Sequence, residues 1–248
     1  MSKTIIVTGG SRGIGAAAAR LAGKRGWSVA INYVGNERAA AETAAAVEKA
    51  GGKAIAVKGD MAVEADVIAL FDAAAKAFGR IDGVVNNAGV LAAGMPLAEM
   101  SAERIGRIIG VNLIGALFVA REAARRMGRS HGGAGGSLVN LSSAAAKLGA
   151  PKEFVDYAAS KGGIEAMNLG LSKELGSEGI RVNAVRPGLI DTDIQHLSGQ
   201  TDRAERLGAT VPIGRAGTAD EVGEAIVWLL SDEASYVSGA VLDVTGGR

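Results

Sequence analysis

Cysteine is absent from the 248 residues, which removes disulfides, thiol nucleophiles and thiolate metal sites together. Histidine is scarce. His131 sits among glycines and His196 in a polar stretch, neither with metal-ligand spacing around it, so both read as surface residues and no metal site is expected. Charge of one sign is lacking as well: 27 basic against 26 acidic side chains leave a net charge of +1. Neither nucleic acid nor an anionic membrane surface is therefore expected as a partner. No apolar run approaches the ~18 residues needed to span a bilayer, and Met1-Ser2-Lys3 runs into an apolar strand without a charged leader. The expectation is a soluble, unexported, cytoplasmic protein.

What the chain does have is 48% hydrophobic residues, enough for a sizeable core, arranged as short β-branched runs alternating with alanine-rich helical ones. Residues 4–8 form a continuous β-branched run, the pattern of a strand covered on both faces. Further strands are expected at 27–33, 53–58, 81–85, 137–141, 180–185 and 240–244. Helices are expected from Ala16, at 36–50, 64–78 and 101–127, in the segment carrying Tyr157, and from the capping box Thr218-Ala219-Asp220-Glu221 through Leu230. Helix 101–127 contains Gly106, Gly110 and Asn112, all poor helix formers, so either a distortion or a partner for the Asn112 amide is expected there. Residues 128–136 read as a glycine-rich surface connection. Residues 189–217 carry no strand signal and one weak helix around 203–207, a composition that reads as a substrate lid. The β-α alternation predicts an α/β fold: a Rossmann-type doubly wound sheet of seven parallel strands with helices on both faces, in a single domain spanning 1–248.

Two local patterns carry chemistry. The first is Gly9-Gly10-Ser11-Arg12-Gly13-Ile14-Gly15 between the first strand and a helix. Glycines let a backbone approach a diphosphate closely, and the free amides of a helix N-terminus hold its charge. The second is Tyr157 and Lys161, which share a helix face four residues apart with about 6 Å of rise between them. A cation close to a phenol favours the phenolate and makes the hydroxyl a proton shuttle at neutral pH. Taken alone, such a pair is more often an ordinary helix tyrosine and a solvated lysine. Asn86-Asn87-Ala88-Gly89 closes the fourth strand where ligands bind in open α/β sheets, although an Asn-Asn pair is commonly a turn.

These segments in this order resemble the short-chain dehydrogenase/reductase family along essentially the whole chain. Thr8 to Gly15 looks like its cofactor turn, Asp60 its adenine-contacting acid, Asn86-Asn87-Ala88-Gly89 its fourth-strand motif, and Pro187-Gly188 with Thr192 its nicotinamide-side loop. Asn112, Ser143, Tyr157 and Lys161 match its catalytic four. Ser142 and Ser143 adjoin, and Ser143 is chosen because its distance to Tyr157 is nearer the family spacing. The resemblance implies a dinucleotide site made of Gly9, Ser11, Arg12, Gly13, Ile14, Gly15, Asn32, Tyr33, Asp60, Met61, Asn87, Ala88, Gly89, Tyr157, Lys161, Pro187, Gly188, Ile190 and Thr192. It also implies Tyr157 as general acid and base, Lys161 lowering its pKa and holding the ribose, Ser143 binding the substrate oxygen, and Asn112 anchoring a relay water. The implied partner is a small carbonyl or alcohol substrate, within a homotetramer. The second strand ends Asn32-Tyr33-Val34 with no acid before Glu37, while Arg12 and Arg38 lie near the same ribose. NADP(H) is therefore the expected cofactor, with NAD(H) retained as a second one. Two rival classes are a nucleotide-sugar epimerase or dehydratase, whose substrate domain normally extends further, and a non-catalytic dinucleotide sensor, which has no reason to keep all four catalytic residues. The substrate wall is expected from 92–100, 144–154 and 189–215.

Overall fold

The structure, a computed structural model, describes residues 2–192 and 203–248. The sheet is built from β1 (Thr4–Val7), four buried residues paired in parallel with β2 (Ser28–Tyr33) on one side and β4 (Gly83–Asn86) on the other. Adding β3 (Lys53–Lys58), β5 (Gly136–Leu141), β6 (Ile180–Pro187) and β9 (Val241–Val244) gives a seven-stranded parallel sheet of order β3-β2-β1-β4-β5-β6-β9. This is the predicted doubly wound α/β sheet.

The continuous apolar runs of the strands follow from a core on each face. Ile5, Val7, Val85 and Val139 point to one side, against α1 (Gly13–Lys24) and α9 (Ala219–Leu230). Their alternates Ile6, Val84 and Leu138 point to the other, against α3 (Glu64–Phe78) and α5 (Gly115–Met127). With a period of two, only a strand covered on both faces makes every residue apolar. Helices α2 (Glu37–Lys49) and α7 (Val155–Glu174) complete the layers. Order reverses between β1 and β4, so their carboxyl ends open the crevice where ligands bind in such sheets.

The expected helix 101–127 is α4 (Ala102–Ile109), one π-helical segment at Gly110–Ile114, and α5. Both alternatives foreseen for Asn112 are met: the helix is distorted and the amide has partners. Close packing explains Gly115 next to it, since a Cβ there would lie 2.7 Å from the Met61 carbonyl oxygen. The capping box at Thr218 forms as read, with Glu221 N–H donating to Thr218 Oγ1 (3.2 Å) and Thr218 N–H to Glu221 Oε2 (2.8 Å).

One reading is corrected. Residues 189–217 carry no strand signal, yet β7 (Ile190–Asp191) pairs in parallel with β8 (Gly217–Thr218). Two residues are too few to show a pattern, and backbone pairing between distant ends fixes them. The weak helix is present as α8 (Arg203–Gly208), and residues 193–202 of the predicted lid lie outside the described residues. A single turn, α6 (Ala145–Leu148), follows β5.

Candidate active site

Two cavities adjoin at the carboxyl end of the sheet, sharing Ile14, Asn87, Gly89 and Thr192 as common wall. The first, about 430 Å³, is bounded by Gly9, Ser11, Arg12, Gly13, Asn32, Tyr33, Asp60, Met61 and Ala88. The second, about 390 Å³, holds Ser143, Tyr157 and Lys161 and also touches Pro187, Gly188 and Ile190. Of the predicted cofactor residues only Gly15 lies behind this surface. Its role is to leave room: a Cβ there would stand 2.5 Å from the Gly9 carbonyl oxygen and 2.7 Å from Asn87 Nδ2.

The glycine turn is held by polar side chains that fold inward. Thr8 Oγ1 accepts from the N–H groups of Asn87 and Ala88, both at 2.9 Å, and Asn87 Nδ2 donates to the carbonyls of Thr8 (2.8 Å) and Gly9 (3.1 Å). Gly9 and Gly13 both have positive φ, 61° and 55°, which an L side chain rarely adopts. Arg12 begins α1 without a side-chain cap, so the first-turn amides of that helix face the cavity uncapped by its own side chain. Asn32, expected at the ribose, is differently occupied. Its Oδ1 accepts from Gly9 N–H (3.1 Å) and its Nδ2 donates to the Gly59 carbonyl (2.8 Å), so the amide braces the glycine turn against the end of β3. Arg38, expected as a second cation, is an exposed side chain paired with Glu42 at 2.8 Å, off the cavity wall.

Tyr157 and Lys161 lie one turn apart in α7, with the Lys161 Nζ 5.6 Å from the phenol ring centroid. Lys161 is only 4% exposed and donates to the Leu141 carbonyl at 2.7 Å. Burial brings its pKa down to about 8. Tyr157, half-buried on the cavity wall, is pushed above its ordinary value by burial, and a hydrogen bond with Ser143 acts in the opposite direction. This departs from the expected depression of the phenol by Lys161: the dry wall penalises the phenolate and the ammonium alike. Ser143 Oγ accepts from Ala145 N–H at 3.2 Å. Ser142 instead turns inward, donating to Glu165 Oε1 at 2.6 Å. Of the adjoining serines, Ser142 has its hydroxyl committed to Glu165, while Ser143 lines the same cavity as Tyr157.

Asn112 occupies the π-helical segment and is 1% exposed. Its Oδ1 accepts from Val90 N–H (2.7 Å), and its Nδ2 donates to the Val90 carbonyl (2.9 Å) and to Ser160 Oγ (3.3 Å). The amide therefore clamps the chain after Asn86-Asn87-Ala88-Gly89, and its atoms are engaged with protein where a water anchor was expected. A Cβ on Gly89 would lie 3.4 Å from Asn112 Oδ1 and 3.7 Å from Lys161 Nζ, at ordinary packing distance, so that glycine sits between the two side chains.

The sequence missed several wall residues. Arg107 and Val111 line the first cavity from one face of α4 and its continuation, and their i, i+4 spacing ahead of Asn112 is the signal that would have found them. In the second cavity the wall is Leu91, just before the predicted 92–100, together with Leu148, Pro151 and Phe154 from the predicted 144–154. Arg248 also lines it and has no local sequence signal. Among the described residues no cluster of His, Cys, Asp or Glu could hold a metal ion, and no helix is long and apolar enough to cross a membrane.

A family profile described as Enoyl-(Acyl carrier protein) reductase matches residues 9–248. The chain is 46% identical over 243 residues to the uncharacterized oxidoreductase YgfF of Escherichia coli, covering 98% of each. It is 41% identical to the L-rhamnose 1-dehydrogenase (NAD(P)(+)) of Azotobacter vinelandii, covering 100% of this chain and 96% of that one. Among solved structures, levodione reductase superposes with a TM-score of 0.91 at 30% identity, over 99% of this chain and 96% of that one. The ordered motifs, the seven-stranded sheet and these relatives converge: this chain belongs to the short-chain dehydrogenase/reductase family of oxidoreductases.

Proposed function

We propose that this oxidoreductase is NADP(H)-dependent and interconverts a carbonyl compound and a secondary alcohol by hydride transfer, with Tyr157 as general acid and base. The observation that carries the reading is that Ser143, Tyr157 and buried Lys161 line one cavity, which adjoins the cavity of the glycine turn. A nicotinamide dinucleotide fits the first cavity on two counts. The glycine turn is a cradle that a Cβ would fill, and the start of α1 offers first-turn amides without a side-chain cap to a diphosphate. Gly9, Ser11, Gly13, Ile14, Asp60, Met61, Asn87 and Ala88 would hold it, with Pro187, Gly188, Ile190 and Thr192 on the nicotinamide side. When bound, the cofactor supplies or accepts the hydride.

The chain's own groups do the rest. In reduction the Tyr157 hydroxyl gives its proton to the carbonyl oxygen, and its raised pKa keeps that proton in place at neutral pH. Ser143, already oriented by Ala145 N–H, donates to the same oxygen as negative charge grows on it. Lys161 has two donors left after Leu141, available to a ribose and to the proton path. In oxidation Tyr157 must be deprotonated, so that rate should climb with pH through the alkaline range while the reductive rate falls. The test is a panel of a cyclic ketone, an aldose, a 3-oxoacyl thioester and an enoyl thioester with both cofactors. Tyr157→Phe should lower kcat by about 10²–10⁴-fold with cofactor affinity intact. A loss below tenfold removes Tyr157 as the proton donor.

A further inference from the structure

The first turn of α7 carries a second polar group that the reaction does not use directly. Asp156, immediately before Tyr157, has a side chain only 1% exposed, and it faces Arg104 of α4, itself 10% exposed. Arg104 Nε donates to Asp156 Oδ2 at 2.8 Å and its terminal NH2 to Oδ1 at 3.4 Å. The same Oδ1 accepts from Tyr157 N–H at 2.9 Å. The other guanidinium nitrogen donates to the Ala93 carbonyl. One planar fork thus joins α4, the loop after β4 and the turn that carries Tyr157. Its base is also fixed, since Ser101 caps α4 by accepting from Arg104 N–H at 3.2 Å.

The segments it joins are the two sides of the substrate cavity. Leu91 lines it from the loop and Phe154 from the approach to α7. Between them Met95 N–H donates to the Glu153 carbonyl at 3.0 Å, and a Cβ on Gly94 would lie 3.5 Å from the Phe154 ring. These contacts are weak springs beside a charge-assisted fork. A dry ion pair adds little net stability over two apolar side chains of similar volume, because both charges are stripped of water. Its distinctive contribution is direction: the guanidinium plane dictates where Ala93 and Asp156 sit relative to each other.

We infer that Arg104, acting through Asp156 and Ala93, is a positioning residue that sets the distance between the substrate wall and the Tyr157 hydroxyl. The inference rests on the proposed role of Tyr157. Without the fork the first turn of α7 and the 91–95 segment are left to the weaker Met95–Glu153 and Gly94–Phe154 contacts. A proton donor displaced by about 1 Å loses on the order of a hundredfold in rate.

The experiment compares wild type, Tyr157→Phe, Arg104→Lys, Arg104→Met and the double variant Arg104→Met/Asp156→Leu as full-length proteins. Tm, NADPH affinity in the binary complex, and kcat and KM on the best panel substrate are measured for each. Arg104→Met should be destabilised and lose about 10–100-fold in kcat with NADPH affinity within about twofold of wild type. Arg104→Lys restores charge but not the fork, so its Tm should recover further than its kcat. The double variant should regain the wild-type Tm and remain at least about tenfold down in kcat, because Tyr157 N–H and the Ala93 carbonyl both lack their partners. Full recovery of kcat in either the lysine or the double variant overturns the inference, since charge or packing alone then suffices. Retained turnover in Tyr157→Phe strikes instead at the proposed function, and the two failures are distinguishable.

Discussion

Lys161 is an ammonium with one carbonyl partner in a dry wall, and its pKa falls from 10.5 to about 8. A folded value below the unfolded one means that the fold disfavours the charged form. The resulting penalty is full at pH 7 and fades as pH rises from about 8 towards 10.5. Lys161→Met should therefore stabilise the cofactor-free protein by about 1–3 kcal/mol at pH 7, and by far less near pH 10.5, while removing turnover. Urea unfolding at the two pH values checks this, and an equal effect at both would refute it. Arg12 is the other residue on which a single change decides something. It is exposed on the wall of the first cavity and has no ion pair among the described residues, whereas Arg38 is turned to Glu42. With no acid at the end of β2 to repel a 2′-phosphate, charge-assisted bonds from Arg12 would be worth ~1.5–3 kcal/mol each. Arg12→Ala should then cost roughly 10–150-fold in kcat/KM for NADPH and little for NADH. Equal use of NADH by the wild type defeats the preference, and equal losses for both cofactors remove Arg12 as its cause.

At the scale of elements, α7 is fastened to the sheet by Arg186 of β6. Its Nε and NH2 donate to the two Glu165 oxygens at 2.8 and 2.7 Å, and its NH1 donates to Asp243 of β9 at 2.6 Å. Burial alone would raise the Glu165 pKa, but the Arg186 fork and the Ser142 hydroxyl outweigh it and hold the carboxyl below its usual range. Asp243 is lowered likewise, by Lys147 and Arg186 against burial. Carboxylates depressed in the fold contribute stability that is present above their unfolded pKa and lost as pH falls through the folded one. Arg186→Leu is thus expected to destabilise by about 1–3 kcal/mol at pH 7, discounted for the partial exposure of both carboxylates. The gap to wild type should narrow below the ordinary 4.5 and 3.8 of these two groups. Denaturation midpoints at pH 7 and pH 3.5 check it: a gap of constant size would contradict the assignment. The network also explains why Ser142 faces inward, an arrangement no spacing rule could supply.

For the whole molecule we propose the homotetramer that the family resemblance implies. Exposed apolar side chains support it in two separate places. Ile114, Leu117 and Leu169 lie on the π-helical segment, α5 and α7, and Trp228 with Tyr236 lie on α9 and the approach to β9. Two separate faces, each meeting its own copy about a two-fold axis, would generate four subunits. Light scattering at micromolar concentration should give about four times the 24.9 kDa chain mass, and Leu117→Glu with Leu169→Glu should halve the particle. A monomeric mass would overturn the proposal.

The sequence by itself determined the layer architecture and named most of the candidate residues that line the two cavities. Strand runs such as Ile5-Ile6-Val7 and helix faces such as Val67-Leu70-Phe71-Ala74 are local patterns, and each alternation of period two or 3.6 says which face must be covered. The glycine turn and the i, i+4 pair of Tyr157 and Lys161 are equally local, so both were legible as candidate features before any fold was known. Tertiary structure decided what depends on partners far along the chain. It turned Ser142 to Glu165 and left Ser143 on the cavity wall with Tyr157, committed Asn32 to Gly9 and Gly59, and paired β7 with β8 across 25 residues of intervening sequence. It also raised the Tyr157 pKa where a neighbouring cation alone would have lowered it. The physical reason is common to all four: hydrogen-bond direction and desolvation are set by the whole surroundings of a group, and a sequence lists only its neighbours along the chain.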